Sequence, residues 1–193
     1  MDINFRKTVF LSVAAEVSQC PDLRLPEIVV VGRSNAGKSS FINALGDNRN
    51  LAKVSSDPGK TRNVVYFLID GKVLLADLPG YGYSNAPKHE KFRYSSIADS
   101  YLSSARRFSL VIHCMDIRHQ PTRDDVIMTQ WVRQSDISYL AVLTKADKIP
   151  DARVKSAAGE FARYLEIEDE RQISVLGNKQ GIDEIRKKIS HIV

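Results

Sequence analysis

The chain has 193 residues, of which 43% are hydrophobic and 26% charged. This composition is typical of one soluble globular domain and excludes disordered and fibrous classes. Two cysteines exclude a disulfide framework, and no apolar run approaches the roughly 18 residues of a membrane span. We therefore expect a cytoplasmic protein with no membrane partner. Lysine and arginine outnumber aspartate and glutamate by 28 to 23, an excess that either serves solubility or indicates a polyanionic partner such as RNA.

Short apolar runs alternate along the chain with amphipathic helical patterns, which predicts βα units and a largely parallel sheet. The predicted strands are, in chain order, Thr8–Ala14, Glu27–Val31, Val64–Ile69, Val73–Ala76, Ser109–Met115, Tyr139–Leu143 and Ile173–Leu176. Asp70-Gly71 is a hairpin turn signal between the third and fourth of them. That pair is therefore predicted to be antiparallel and to lie at the edge of the sheet.

Four helices are predicted between and after these strands. Their apolar residues recur at helical spacing within Tyr94–Ala105, Thr122–Arg133, Val154–Leu165 and Ile182–Ile192. We expect these apolar faces, and Trp131, to pack in the core. The fold class is α/β.

The segment from Gly32 to Ser39 reads G-R-S-N-A-G-K-S and matches the phosphate-binding pattern G-x-x-x-x-G-K-S. Glycines let backbone N–H groups wrap closely around phosphate oxygens, and the following helix adds partial positive charge. We expect Lys38 to contact the β- and γ-phosphates and the Ser39 hydroxyl to bind Mg²⁺. A chance glycine-rich turn, the alternative, accounts for neither the lysine nor the strand–loop–helix context. The predicted nucleotide contacts of this loop are Gly32, Arg33, Ser34, Asn35, Ala36, Gly37, Lys38, Ser39 and Ser40.

A second motif, Asp77-Leu78-Pro79-Gly80, closes the apolar run VLLAD. Asp77 can reach Mg²⁺ through a water molecule, and Gly80 can offer its N–H to the γ-phosphate. Alone, the tetrapeptide is only a turn after a strand. Its place in the next parallel strand after the phosphate loop favours a nucleotide contact by all four residues.

A third motif, Thr144-Lys145-Ala146-Asp147, follows the strand YLAVL. The Asp147 carboxylate can accept hydrogen bonds from guanine N1–H and the 2-amino group, donors that adenine lacks in that arrangement. The methylene stem of Lys145 would lie along the base. The alternative for this segment is an N-terminal helix cap. The last predicted contacts are Ser174, Val175 and Leu176, from which a backbone N–H would meet guanine O6.

Together these segments resemble the EngB family, also called YihA or YsxC, of TRAFAC-class P-loop GTPases. The segments that carry the resemblance are GRSNAGKSSFINAL (32–45), PGKTR (58–62), DLPGYGYS (77–84), DIRH (116–119) and LTKADK (143–148). The resemblance runs from about Arg24 to the end of the chain. It implies a Ras-like, doubly wound and mostly parallel sheet with one antiparallel edge strand, in a single domain over 1–193.

The same resemblance implies a GTP-hydrolysing switch that acts in assembly of the large ribosomal subunit, with a link to cell division and septation. Its implied partners are the large subunit or its precursor and ribosomal RNA, and we expect a monomer. Thr61 would lie in switch I as a Mg²⁺ ligand beside the nucleotide contacts Pro58, Gly59 and Lys60, and switch II would start at Gly80. Lys38, Thr61 and Gly80 are the implied catalytic residues. Alternatively, Pro58-Gly59 is a plain turn and Thr61 an exposed polar residue.

Three positions bear on mechanism. Tyr81 stands where Ras-like enzymes place a water-orienting glutamine, so intrinsic hydrolysis should be slow. Thr144 stands where many GTPases have asparagine, so one stabilising contact should be weaker. Asn35 occupies the position that binds K⁺ in related potassium-dependent GTPases, although asparagine also suits a tight loop.

Basic residues gather around the implied switch II and the connections after it. They either contact ribosomal RNA or form ordinary solvated surface. The candidates are Lys88, Lys91, Arg93, Arg106, Arg107, Arg118 and Arg123. Two other functions compete with the GTPase switch: a P-loop small-molecule kinase, and a non-catalytic RNA-binding module controlled by guanine nucleotide.

Overall fold

The computed structural model describes residues 1–53, 63–81, 97–177 and 179–193. The strands are β1 (Thr8–Ala14), β2 (Glu27–Val31), β3 (Val64–Ile69), β4 (Val73–Asp77), β5 (Leu110–Asp116), β6 (Ser138–Thr144) and β7 (Ile173–Val175). The helices are α1 (Lys38–Leu45), α2 (97–102 in the described chain), α3 (Arg123–Gln134), α4 (Asp151–Tyr164) and α5 (Lys179–Ile192). The predicted strands agree with these bounds to within one residue at each end. None of the described helices is long and apolar enough to cross a membrane.

The strands form one sheet in the order β1-β3-β4-β2-β5-β6-β7. Neighbours from β4 to β7 are parallel, while β3 runs antiparallel to both β4 and β1. The mostly parallel α/β sheet is confirmed. The predicted position of the antiparallel strand needs one correction, since β1 pairs outside β3 and takes the edge. Val9, Phe10 and Val13 of β1 are about half exposed, as expected for a strand at the edge of the sheet.

Helices cover both faces of the sheet, so the central strands are buried on two sides. All five residues of β2 are buried. On one face, Ile28 and Val30 pack in a cluster with Phe41 of α1 and Ile185 of α5. The cluster on the other face contains residues of α2, α3 and α4, among them Tyr101, Val132 and Phe161.

The helical predictions hold with two exceptions. α2 ends at residue 102, so Ala105 lies beyond it and is exposed. The second exception is at the C-terminus. Ile182, Ile185 and Ile189 are buried, but Ile192 is 38% exposed because the helix ends there. Trp131 is partly buried against the core, as predicted. Tyr94 lies outside the described residues.

A buried ion pair fastens the amino end of β2. Glu27 is 4% exposed, and Arg106 donates to its carboxylate from Nη2 at 2.6 Å and from Nε at 3.0 Å. Arg106 also donates to the Pro21 carbonyl oxygen, and the Tyr101 hydroxyl donates to Glu27. Burial raises the pKa of Glu27, and the Arg106 guanidinium opposes that rise. Arg106 is therefore committed to the fold, which corrects its assignment as a candidate RNA contact.

Arg106→Ala should lower the free energy of unfolding by about 3 kcal/mol, because it leaves a buried carboxylate without its cation. Its exposed neighbour Arg107 is the control, and Arg107→Ala should change stability by less than about 0.5 kcal/mol. Urea unfolding followed by circular dichroism measures both. Equal effects of the two substitutions would show that the ion pair does not stabilise the fold.

Candidate nucleotide-binding site

The three predicted motifs meet at one edge of the sheet. Parallel strands β2, β4, β5 and β6 end there, and ligands of such folds bind outside the carboxyl ends of the strands. The phosphate loop follows β2, Asp77 ends β4, Asp116 ends β5 and Thr144 ends β6. Residues distant in sequence are thereby brought around one cleft.

The phosphate loop fits closely against β5 and β6. A Cβ on Gly32 would lie 2.4 Å from the Cys114 carbonyl oxygen, so a larger residue would collide with the backbone. Gly37 has φ +88°, and a Cβ there would lie 3.0 Å from the Thr144 hydroxyl. Helix α1 begins at the next residue, so its free N–H groups face the loop.

Lys38 is the first residue of α1 and is 9% exposed. Its ammonium makes one long contact, 3.5 Å from Nζ to the Gly32 carbonyl oxygen. This places a cation directly over the loop without a close carboxylate partner among the described residues. The arrangement suits binding of phosphate oxygens, as the sequence predicts.

Asp77 is 5% exposed, and its Oδ1 has no hydrogen-bond partner among the described residues. Burial raises the pKa of Asp77 to about 6, against the opposing influence of Lys38. An unpaired buried carboxylate beside a phosphate loop fits Mg²⁺, which takes one or two carboxylates and completes its shell with water and phosphate oxygens. The described residues contain no cluster of three His, Cys, Asp or Glu side chains that would hold a metal alone. Ser39, the other predicted Mg²⁺ ligand in this part of the chain, is the second residue of α1.

Gly80 packs directly on the phosphate loop. A Cβ there would lie 2.7 Å from the Ser34 nitrogen, so only glycine fits. The Ser34 N–H donates to the Tyr81 carbonyl oxygen at 3.0 Å. Between Asp77 and Gly80, the Leu78 side chain is 1% exposed and packs in the core.

Thr144 joins the end of β6 to the phosphate loop. Its hydroxyl lies 2.6 Å from the Ala36 carbonyl oxygen and 3.1 Å from that of Met115. It caps no helix, because the next two helical segments begin after Lys145 and Pro150 without a side-chain cap. No side chain of this motif therefore caps a helix, although Asp147 lies in the first turn of the short helical segment Ala146–Lys148, as the alternative expects.

Lys145 is held over the same loop. Its ammonium donates to the Asn35 carbonyl oxygen at 2.7 Å and pairs with Asp116 at 2.9 Å. Burial alone would raise the pKa of Asp116, but hydrogen bonds from Arg118 and Lys145 hold it below its usual value. Asp116 therefore stays charged and fixes both cations. Arg118 is thus also engaged, although it remains exposed.

Asp147 is exposed, and its only described partner is Lys148 at 3.0 Å, a surface pair of little strength. It borders a cleft of about 1010 Å³ that Gly37, Thr144, Lys145 and Gly177 also line. The carboxylate is available to a ligand in this cleft. The volume suits a nucleotide.

The loop after β7 differs from the prediction. The Leu176 N–H donates to the Leu143 carbonyl oxygen at 2.8 Å, and the Ser174 hydroxyl accepts from Lys188 at 2.8 Å. The Leu176 N–H is therefore not free for guanine O6, because it continues the pairing of β7 with β6. The next residue, Gly177, packs closely against Ala146. A Cβ on Gly177 would lie 2.9 Å from the Ala146 side chain. Sequence reasoning missed Gly177, although a glycine directly after a short strand is a signal of close backbone approach.

Several predicted residues lie outside the described chain. They are Pro58, Gly59, Lys60, Thr61, Lys88, Lys91 and Arg93. Of the remaining basic candidates, Arg107 and Arg123 are exposed.

Comparison with known proteins agrees with this geometry. Residues 27–145 match the family model described as a 50S ribosome-binding GTPase. A protein of Syntrophomonas wolfei named "Probable GTP-binding protein EngB" is 36% identical over 194 residues, with 100% of both chains covered. The chain belongs to the EngB family of P-loop GTPases.

Two further comparisons support the assignment. A Desulfosudis oleivorans protein of the same name is 39% identical over 188 residues, which cover 97% of this chain and 95% of the relative. The crystal structure of a probable GTP-binding protein engB has the same fold, with a TM-score of 0.68 and 22% identity. That match covers 86% of this chain and 97% of the other. The chain therefore belongs to a family of guanine-nucleotide-binding proteins.

Asp77→Asn should raise the free energy of unfolding of the nucleotide-free protein in EDTA at pH 8 by about 2–3 kcal/mol. The carboxyl titrates at 3.8 when unfolded and at about 6 when folded. The unfolded state therefore loses its proton first, and the native protein loses stability as pH rises from about 4 to 6. The advantage of the variant should disappear near pH 4.

Urea unfolding at both pH values measures this effect, with Asp116→Asn as the control. Because Asp116 is charged and paired, its substitution should destabilise the protein. An Asp77→Asn variant less stable than the unsubstituted protein at pH 8 would contradict an unpaired buried carboxylate. Added Mg²⁺ with GDP should stabilise the unsubstituted protein more than Asp77→Asn.

Proposed function

We propose that the protein is a slow GTPase switch whose GTP-bound form binds the large ribosomal subunit or its precursor. The observation that carries the proposal is the contact of Gly80 with the phosphate loop. In this contact the backbone of Gly80, whose N–H would bind the γ-phosphate, lies directly beside Ser34. An extra phosphate at this point would bear on both segments at once, which is how a γ-phosphate is converted into a conformational signal.

Hydrolysis would proceed by attack of water on the γ-phosphorus, breakage of the bond to the β–γ bridging oxygen, and release of GDP and phosphate. Lys38 and the N–H groups of the phosphate loop would stabilise charge on the transferred group and the leaving oxygen. Bound Mg²⁺, held by Ser39 and Thr61 and by Asp77 through water, would supply further positive charge to the same oxygens. Gly80 would donate its N–H to the γ-phosphate.

Turnover should be slow because the side chain after Gly80 is committed elsewhere. The Tyr81 hydroxyl donates to Asp125 at 2.7 Å. A phenol does not orient the attacking water as the amide of a glutamine does. The same observation supports the second candidate function, a guanine-nucleotide-dependent RNA-binding module without catalysis.

Guanine selectivity would come from the Asp147 carboxylate, which is exposed and paired only with Lys148 among the described residues. The Lys145 stem would lie along the base, and the Gly177 N–H would lie near O6. A site built for such donors rejects analogues that lack them, because its polar groups are left unpaired. The small-molecule kinase alternative has no use for this carboxylate.

The family description names binding to the 50S ribosome, and the net charge of +5 suits a ribosomal RNA partner. Arg107 and Arg123 remain candidate contacts, together with Lys88, Lys91 and Arg93. A cytoplasmic monomer that forms one domain over 1–193 and acts in large-subunit assembly fits these properties. The link to cell division and septation comes from the family resemblance.

Co-sedimentation with 50S-type precursors tests the proposal. The protein should pellet with the particles in the presence of a non-hydrolysable GTP analogue, much less with GDP, and less as salt rises. Lys38→Ala, which removes the phosphate-binding cation, is the control and should lose the nucleotide dependence. Equal pelleting with both nucleotides would contradict the switch. Nucleotide-dependent pelleting without any particle-stimulated turnover would favour the non-catalytic module.

We also propose that Asn35 binds K⁺ and that K⁺ stimulates hydrolysis. Asn35 is exposed at the loop tip with φ +63°, and its carbonyl is fixed by Lys145. GTP turnover should be at least about tenfold faster in KCl than in NaCl, because the ion would supply the charge of an arginine finger. Asn35→Ala should abolish the difference. Equal turnover of the unsubstituted protein in the two salts would contradict K⁺ binding.

A further inference from the structure

Tyr81 is held at both ends. Its carbonyl oxygen accepts the Ser34 N–H of the phosphate loop at 3.0 Å. Its hydroxyl donates to Asp125 Oδ1 at 2.7 Å and contacts His113 Nε2. Tyr81 thus spans from the phosphate loop to β5 and α3, and the Gly80 that precedes it in the chain packs against Ser34 of the same loop.

The partners of the Tyr81 hydroxyl are themselves fixed. His113 is fully buried and Asp125 is 5% exposed. Asp125 Oδ2 accepts from both the N–H and the hydroxyl of Thr122 at 2.7 Å, which closes the cap of α3. The anchor is therefore a rigid group at the start of a helix and not a mobile surface side chain.

The protonation states of Tyr81 and Asp125 favour the hydrogen bond between them. Burial alone would raise the pKa of Asp125, but hydrogen bonds from His113, Thr122 and Tyr81 lower it to about 2. Burial and the Asp125 charge raise the pKa of Tyr81 well above its usual value. The carboxylate stays charged and the phenol stays a donor. Since the single phenol proton goes to Asp125, the contact with His113 requires the Nε2–H tautomer.

His113 carries a second tyrosine on its other side. Tyr139 lies 2.9 Å from His113 Nδ1 and 3.1 Å from the Thr129 hydroxyl. Both tyrosine rings meet the imidazole edge-on, with centroids 6.1 Å away for Tyr81 and 6.0 Å for Tyr139. The two phenols are similar in chemistry and surroundings. Only Tyr81 is bonded to the phosphate loop.

We propose that Tyr81 is a positioning residue for the γ-phosphate: its hydroxyl, anchored on Asp125 and His113, sets where Gly80 stands against the phosphate loop and so sets the preference of the site for GTP over GDP. The inference rests on the proposed function in one respect, the contact of the Gly80 N–H with the γ-phosphate. GDP lacks that group, so its affinity should not depend on the anchor. Tyr81 occupies the position of the glutamine in Ras-like enzymes, but its side chain would act by positioning the Gly80 backbone.

The test compares Tyr81→Phe with Tyr139→Phe in the full-length chain. Each substitution removes one of the two tyrosine hydroxyls that contact His113. Fluorescence titration gives the affinities for a non-hydrolysable GTP analogue and for GDP. Tyr81→Phe should lower the ratio of these affinities about tenfold, a change of about 1.4 kcal/mol, with GDP affinity within about twofold of the unsubstituted protein. Tyr139→Phe should leave the ratio unchanged even if it costs similar stability in thermal unfolding.

A second pair of variants keeps the test decisive if Tyr81→Phe does not fold. Asp125→Asn keeps the shape of the acceptor but removes its charge, and should lower the ratio about threefold. Thr122→Ala removes only the Thr122 hydroxyl that donates to Oδ2 of the same carboxylate, and should leave the ratio unchanged. A ratio unchanged in both Tyr81→Phe and Asp125→Asn, or lowered equally in both controls, would overturn the proposal.

The outcome is separable from the proposed function. Affinities of non-hydrolysable nucleotides are defined whether or not the protein hydrolyses GTP or binds ribosomal particles. In single-turnover hydrolysis, Tyr81→Phe should lower the rate at saturating GTP. An unchanged rate with a lowered affinity ratio would restrict the role of Tyr81 to nucleotide discrimination, and absent hydrolysis in the unsubstituted protein would refute catalysis alone.

Discussion

The hydrogen bond from the Thr144 hydroxyl to the Ala36 carbonyl oxygen, 2.6 Å long, joins the two halves of the nucleotide site. Ala36 belongs to the phosphate loop, and Thr144 opens the segment that we propose to recognise the base. The ammonium of Lys145 adds a second link to Asn35. The phosphates and the base of one nucleotide must be bound at the same time, and these links keep the two proposed subsites at one spacing. Threonine in place of asparagine still supplies this contact, with one hydroxyl shared between two carbonyl oxygens.

The buried acids of the protein fall into two groups with different physical roles. Glu27 and Asp125 are surrounded by donors, and each fastens a helix or loop to the sheet. Asp77 has an oxygen without a described partner, and its raised pKa records the cost of that isolation. Unpaired buried charge is expensive in a structural position and is retained where a ligand completes it. This distinction supports the proposal that Asp77 serves a bound Mg²⁺.

Much of the fold and of the site could be predicted from sequence because both depend on local patterns. Buried strands read as apolar runs, and the phosphate loop and Asp147 have fixed neighbours in the chain. The edge strand β1 was recognisable, but its place outside β3 depends on pairing between distant segments. The engagement of Leu176 by Leu143, the commitment of Arg106 to Glu27 and the anchoring of Tyr81 on Asp125 are also long-range contacts. Residue spacing carries no record of such contacts.

Isothermal titration calorimetry of GDP on Thr144→Val and Thr144→Ser, with ATP as the comparison ligand, tests most directly whether this linked pocket is a guanine-nucleotide site. The serine variant keeps the hydroxyl and should bind GDP as the unsubstituted protein does. The valine variant keeps the volume without the donor and should bind at least about tenfold more weakly. ATP should bind to none of the three proteins. Equal GDP affinity in the two variants, or ATP binding comparable to that of GDP, would contradict the account.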